Sequence, residues 1–273
     1  MKINLRCFST SDLATATDKR VAELKERLKD SPPAAHNFSF SGSGFLIAYH
    51  LGVAHALKEL GYIQEDSRLA GASGGSIAAL AVASNADLHQ ILDDTKLMAH
   101  FGRTVGTWGK LEPGLRKLFY DRFANVDLEH LAKRLAITTH QVWPIRQIIH
   151  SVHFESPDDL CDNLIASCYV PFYLSSQAVV KLRGQYHVDG GLLKLVPEIP
   201  DHVRVCVFHA NMLRRTDYEI SPSLDSEFPH PFFHLVRIAL FPPEAHVLDD
   251  LFHYGRRGAV LWAEKQLEQE KQQ

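Results

Sequence analysis

A serine bracketed by small residues, Ser73 in the run Gly71-Ala72-Ser73-Gly74-Gly75, has a setting that could support covalent chemistry. A hydroxyl on a sharp strand-to-helix turn projects into a cleft, and small neighbours permit the strained backbone there. The helix that follows would bring its positive amino end toward a developing oxyanion. The chemistry this describes is acyl transfer through a serine nucleophile. A bare G-x-S-x-G string also occurs in structural glycine-rich loops, so its meaning depends on the flanking segments. Arg68-Leu69-Ala70 reads as a strand leading in, and Ile77 to Ser84, rich in alanine, as a helix able to lie close to a sheet.

Two other segments supply complementary parts. Acyl transfer places negative charge on the former carbonyl oxygen, and each important backbone N–H donor stabilises it by roughly a few kcal/mol. Gly42-Ser43-Gly44 is suited to present such donors without side-chain obstruction. The same loop could be a tight structural turn. It fits a dinucleotide site less well, lacking the full G-x-G-x-x-G spacing and an acidic ribose partner. A proton acceptor is also needed. Asp189, in Tyr186-His187-Val188-Asp189-Gly190-Gly191, follows a short strand and could face a crevice, with Gly190 and Gly191 giving it room to approach Ser73. Alone it could equally cap a turn or form a salt bridge. Paired with Ser73 it makes a dyad that needs no catalytic histidine.

Sixteen histidines invite other readings. His50 and His55 are five apart, which is not the spacing of a zinc-binding H-E-x-x-H helix, so structural roles and no metal site are expected. His187 lies two residues before Asp189, on the same face of a strand, where it could tune the carboxylate or edge the pocket. His209, after the strand-like Val203 to Phe208, is the candidate for a conventional serine–acid–histidine triad.

The elements that would hold these groups alternate. Asn37 to Phe40 reads as a strand, Phe45 to Leu60 as a helix with Leu46, Tyr49, Val53, Leu57 and Leu60 at three- and four-residue spacing, and the serine turn follows. Asp87 to Lys133 is helical with an interruption around Gly102 to Gly114. Its Phe101, Trp108, Leu111, Leu115, Leu118, Phe119 and Phe123 could form core or a mobile cover, and the aromatic ones, with Phe232, Phe233 and Phe241, are also candidates for an acyl channel or lipid interface. Leu135 to Trp143 and Gln147 to Phe154 have strand character around Pro144, and Pro157 to Ser167 reads as a helix with Pro in its first turn. Val179 to Leu182 and Tyr186 to Val188 read as strands, and Phe252 to Gln269 as a closing helix. This alternation predicts an α/β sheet with helices on both faces. Residues 1–36, with a charged helical segment from Asp18 to Asp30 ended by Ser31-Pro32-Pro33, read as an appendage to one domain spanning 37–273.

Together these segments resemble the patatin-like phospholipase domain family, especially the animal-type branch that includes adipose triglyceride lipase. Ser39-Phe40-Ser41-Gly42-Ser43-Gly44-Phe45 is similar to its oxyanion loop, with Ser43 where Cys is common. Gly71 to Ser76 matches its nucleophile elbow, Asp189-Gly190-Gly191 its aspartate motif, and Ser167 to Phe172 the segment before that aspartate. The likeness extends through Phe241-Pro242-Pro243-Glu244 into the final helix. It implies a patatin-like three-layer α/β/α sandwich with a central, mostly parallel sheet. It also implies a Ser73-Asp189 dyad that cleaves glycerolipid esters through an acyl-enzyme, with Gly42, Ser43 and Gly44 as oxyanion donors. Triacylglycerol is the leading substrate, with phospholipase A or lysophospholipase action, or a catalytically weak lipid-binding role, as alternatives. One departure stands out: Leu192-Leu193-Lys194-Leu195-Val196-Pro197 lacks the polar Asp-Asn pair common before the family's proline.

Composition sets outer bounds. A net charge of −3 with no dense Lys/Arg block argues against nucleic acid as a partner. Cys7, Cys161, Cys168 and Cys206 have neither disulfide-framework nor zinc spacing, which fits reduced thiols in an intracellular compartment. No apolar run is long enough to span a bilayer, so contact with a membrane or lipid-droplet surface would be peripheral. No cofactor is expected.

Overall fold

The computed structural model describes residues 10–270, so Cys7 and the start of the amino-terminal segment lie outside the described residues. The chain folds as a patatin-like α/β/α sandwich around a seven-stranded sheet. In chain order the strands are β1 (Asn37–Phe40), β2 (Leu69–Ala72), β3 (Leu135–Trp143), β4 (Gln147–Ser151), β5 (Val180–Leu182), β6 (Gln185–Asp189) and β7 (His202–Val205). The central run β7-β1-β2-β3 is parallel, and β4, β6 and β5 extend it by antiparallel pairing. Buried β2, Leu69-Ala70-Gly71-Ala72, is an unbroken small and apolar run, as expected of a strand covered on both faces, while β1 alternates Phe38 and Phe40 with Asn37 and Ser39.

The helices are α1 (Thr10–Leu28), α2 (Ile47–Glu59), α3 (Gly74–Ala83), α4 (Leu88–Val105), α5 (Glu112–Phe123), α6 (Leu128–Arg134), α7 (Pro157–Ser167), α8 (Phe232–Leu240) and α9 (Ala245–Glu270). Asp87, Asp127 and Ser156 cap α4, α6 and α7 with side-chain acceptors for free N–H groups. The alanine-rich α3 packs on β1, β2 and β3, while α7 covers β3, β5 and β6. A backbone-to-backbone crossing joins α2 to α9: a Cβ on Gly52 would overlap the Phe252 carbonyl, and one on Gly255 the Tyr49 carbonyl. Trp262 of α9 then stacks edge-on against Phe38, with ring centroids 5.9 Å apart.

The charged amino-terminal segment forms α1, whose Leu13, Val21, Leu24 and Leu28 are buried in the main apolar cluster. Its polar side is tied to α9 by Arg20–Glu264 and by Asp18–Arg256 at 3.0 Å. Several boundaries differ from the sequence reading. The helix expected from Phe45 begins as a 3-10 turn at Gly44–Leu46, and the strand expected to reach Phe208 stops at Val205, where the Cys206 amide turns to Ile220. The last helix starts at Ala245, after Pro242-Pro243 and Glu244, seven residues earlier than its apolar pattern indicated.

Candidate active site

The register of β3 dictates where the chemistry gathers. Its residues Leu135 to Thr138 pair with β2, and Thr139 to Trp143 pair with β6, while β4 runs along Ile137 to Gln141. A strand residue has only two flanks, so β2 and β6 must share one edge of β3, meeting end to end. Ala72 lies opposite Thr138, and Asp189 lies opposite the next residue, Thr139. The two carboxyl ends therefore converge, bringing Ser73 and Asp189 together from strands that approach from opposite directions.

Ser73 sits at φ 55° and ψ −133°, a left-handed backbone that a residue with a side chain adopts at a penalty of about 1–3 kcal/mol. The surrounding packing enforces it. A Cβ on Gly71 would overlap the Gly75 carbonyl, and a Cβ on Gly75 would overlap the carbonyls of Ser41 and Phe40. The elbow therefore fits only with glycine at both places. The Ser73 carbonyl accepts from the Ser76 amide at 2.8 Å and its hydroxyl at 2.6 Å, closing the first turn of α3.

Asp189 is buried. Its Oδ1 accepts from the Gly191 amide at 2.7 Å, while Oδ2 has no hydrogen-bond partner among the described residues. Burial pushes its pKa up from 3.8 to about 6; the adjacent Ser73 hydroxyl and the Gly191 and Leu192 amides oppose the rise by favouring the ionised form. If this carboxylate is the proton acceptor, kcat/KM on a soluble ester should fall about tenfold per pH unit below pH 6 and level off above pH 7. A profile flat down to pH 4.5 would exclude Asp189 from that role.

The loop Gly42–Gly44 is pinned from three sides. The Ser41 amide donates to Val205 at 2.9 Å, the Gly42 amide to Leu195 at 2.7 Å, and His50 Nε2 donates to the Ser41 carbonyl at 3.0 Å. Gly42 packs closely on Gly191 and against the Ser73 Cβ, and Gly74 packs under Ser43 and Gly44. The Gly42 N–H is engaged by Leu195, whereas among the cavity-lining residues the amides of Ser43, Gly44 and Gly74 have no acceptor among the described residues. Leu195 belongs to the segment that departs from the family's usual polar pair, and its backbone still makes this anchor. Gly190 is equally constrained, since a Cβ there would overlap the Thr138 carbonyl.

Ser73 and Asp189 open onto a cavity of about 330 Å³. Its walls are mainly aliphatic: Ile91, Thr95 and Met98 of α4 and Leu111, Leu115 and Leu118 on or beside α5. These are two i, i+4, i+7 stripes, a helical signal that was open to reading in the sequence. The aromatic candidates took other places. Phe119 and Phe123 are wholly buried in the core, whereas Phe101, Trp108, Phe233 and Phe241 are exposed. Cys168 also lines the cavity, and its thiol, beside Ser73 and Ser76, is driven strongly upward by burial and by the Asp189 charge, so it stays protonated.

The histidines fall outside this arrangement. His50 is fully buried and its pKa is pushed down to about 3 by that burial, which leaves it neutral. His187 pairs with Thr139, not with Asp189, at 3.0 Å. His209 donates through Nε2 to the His230 carbonyl at 2.9 Å and does not line the cavity, so the triad reading finds no support in the geometry. Among the described residues no group of three or more His, Cys, Asp or Glu could hold a metal, and no helix is long and apolar enough to cross a membrane.

Comparison with known proteins agrees with this architecture. The patatin-like phospholipase family profile matches residues 38–200, and the chain belongs to that family. It is 24% identical over 258 residues to an omega-hydroxyceramide transacylase of Mus musculus, covering 86% of this chain and 41% of that protein. It is 29% identical over 256 residues to a 1-acylglycerol-3-phosphate O-acyltransferase of Homo sapiens, covering 84% of this chain and 50% of the relative. The human patatin-like phospholipase domain-containing protein 4 is 28% identical over 249 residues, covering 80% of this chain and 92% of that protein. The chain thus spans half or less of the first two relatives.

Proposed function

We propose that this chain is a serine acylhydrolase acting on glycerolipid carboxylic esters. The observation that carries the reading is the end-to-end meeting of β2 and β6, which sets a strained Ser73 beside a buried carboxylate with a free oxygen at the mouth of an apolar cavity. In the first step the Ser73 Oγ bonds to the ester carbonyl carbon while its proton passes to Asp189 Oδ2. The Ser43 and Gly44 amides stabilise the resulting oxyanion. Collapse breaks the ester C–O bond, the departing alkoxide takes the proton from Asp189, and the acyl group stays on Ser73. Water then gives a proton to Asp189 and attacks the acyl carbon; the acyl C–Oγ bond breaks, Oγ takes the proton back from Asp189, and the fatty acid leaves.

The apolar cavity walls favour a fatty acyl group, and the resemblance of the sequence motifs to the adipose triglyceride lipase branch makes triacylglycerol the leading candidate over phospholipid. A second reading concerns the acceptor. Two similar proteins are named for transferring acyl groups, and an aliphatic cavity limits water, so a lipid alcohol could discharge the same acyl-enzyme. A fluorophosphonate label tests the shared first step: labelling of wild type and none of Ser73→Ala supports it, and a folded wild type that fails to label favours a noncatalytic lipid-binding role. Product analysis with and without added monoacylglycerol separates hydrolysis from transfer.

Docking on a lipid surface belongs to the same proposal. On α8, Val236 and Leu240 line the cavity and Phe233, one turn earlier on that face, is 79% exposed. Leu193, beside the cavity-lining Leu192, is 53% exposed on the departing loop. Each such side chain gains about 1.5–3 kcal/mol on burial in lipid. The pair Leu193→Asp and Phe233→Asp should reduce flotation with triolein emulsions at least about tenfold, with soluble-ester hydrolysis kept within twofold. Unchanged flotation counts against this face.

A further inference from the structure

Where β2 ends and β6 begins along β3, the ladder is interrupted, because the left-handed turn at Ser73 takes its N–H out of line. In an unbroken parallel ladder that N–H would be directed toward a carbonyl of the neighbouring strand. A side chain stands in the gap. The hydroxyl of Ser167, the last residue of α7, accepts from the Ser73 N–H at 2.9 Å and donates to the Thr138 carbonyl at 2.7 Å. The other half of the pair is held from the same place: the Gly190 amide donates to the Ser167 carbonyl at 3.2 Å, and the Asp189 amide to the Tyr169 carbonyl at 2.8 Å. Ser167 and Thr138 are both fully buried, so water does not supply these bonds.

We infer that Ser167 is the positioning residue that sets the spacing between Ser73 and Asp189, an inference that rests on the proposed dyad. Only a group that donates and accepts at one atom can fill this gap, and hydroxyls do so while amides and carboxylates do not. The bond has a second effect. With its own N–H held by Ser167, Ser73 contributes no oxyanion donor, which leaves that task to neighbouring amides such as those of Ser43, Gly44 and Gly74. Removal of the hydroxyl leaves a buried N–H and a buried carbonyl unpaired and frees the elbow to shift relative to Asp189. Displacement of a reacting group by about 1 Å lowers rate by roughly a hundredfold without touching substrate contacts.

The test is steady-state kinetics on a soluble ester. Ser167→Ala should lower kcat about 10- to 100-fold with KM within twofold, and phosphonate labelling of Ser73 should slow in parallel. Ser167→Thr, which retains the hydroxyl, should recover most of the rate, whereas its near-isostere Ser167→Val should not. A folded Ser167→Ala with unchanged kcat, or Thr and Val variants equally impaired, overturns the inference. If the variants do not fold, amide exchange in the wild type decides: the Ser73 N–H should be among the most protected, and exchange as fast as an exposed loop refutes the clamp. Loss of activity in Ser73→Ala beside full activity in Ser167→Ala removes only this inference; full activity in Ser73→Ala removes the dyad itself.

Discussion

Asp189→Asn is expected to lower ester hydrolysis by about 10³-fold while yielding a protein more resistant to heat at neutral pH. The amide still accepts from the Gly191 N–H, so the loop that follows β6 keeps its anchor. What disappears is a buried charge. Because the folded-state pKa of Asp189 lies above its ordinary value, the folded wild type holds a proton between pH 4 and 6 that the unfolded chain has released. Stability therefore declines as pH rises through that window and is level above it. The rise from 3.8 to about 6 corresponds to about 3 kcal/mol. Asparagine is neutral throughout, so its advantage over wild type should grow from pH 4 to pH 6 and remain constant to pH 8. Thermal unfolding at several pH values measures this, and a variant equally destabilised at pH 4 and pH 8 would contradict it.

Ser73 offers the second large effect and a sharper separation of chemistry from fold. Ser73→Ala removes the hydroxyl yet keeps a Cβ at the same left-handed backbone, so hydrolysis and phosphonate labelling should vanish with melting temperature nearly unchanged. Ser73→Gly relieves the backbone as well. The relief of about 1–3 kcal/mol, partly offset by glycine's greater unfolded-state freedom, should leave a net gain of about 1 kcal/mol, or roughly 2–4 °C. Gly75→Ala should behave in the opposite way, failing to fold because the new methyl has the Ser41 and Phe40 carbonyls in its place. Equal stability of Ser73→Ala, Ser73→Gly and wild type would argue that the elbow carries no strain.

The parts of this site that sequence made legible are those with local causes. Glycines around Ser73 and after Asp189 announce tight backbone, and the alternation of strands and helices announces the layered sheet. Ser167 lay in plain view at the end of a predicted helix, but its partners are Thr138 and Ser73, distant in the chain, and no local pattern marks a hydroxyl that bridges two strands. The Gly42 amide likewise looked free until Leu195 came to meet it. The cavity walls were legible only in part. Leu111, Leu115 and Leu118 were readable as core or cover, but periodicity alone does not say whether a helix faces core or substrate, and no local signal joins them to Ile91, Thr95 and Met98 of α4.

The shared edge of β3 also makes the candidate site sensitive to chain length. Four residues of β2 and the close of β6 abut along nine residues of β3, leaving no spare position between Ala72 and Asp189. One residue inserted into β2 would drive the elbow onto Asp189, and one deleted would open a gap of about 3.3 Å, too wide for direct proton transfer. Substitutions that keep the volume of these buried strands leave that spacing alone. Insertions and deletions should therefore be excluded from β2 and the end of β6 in related sequences.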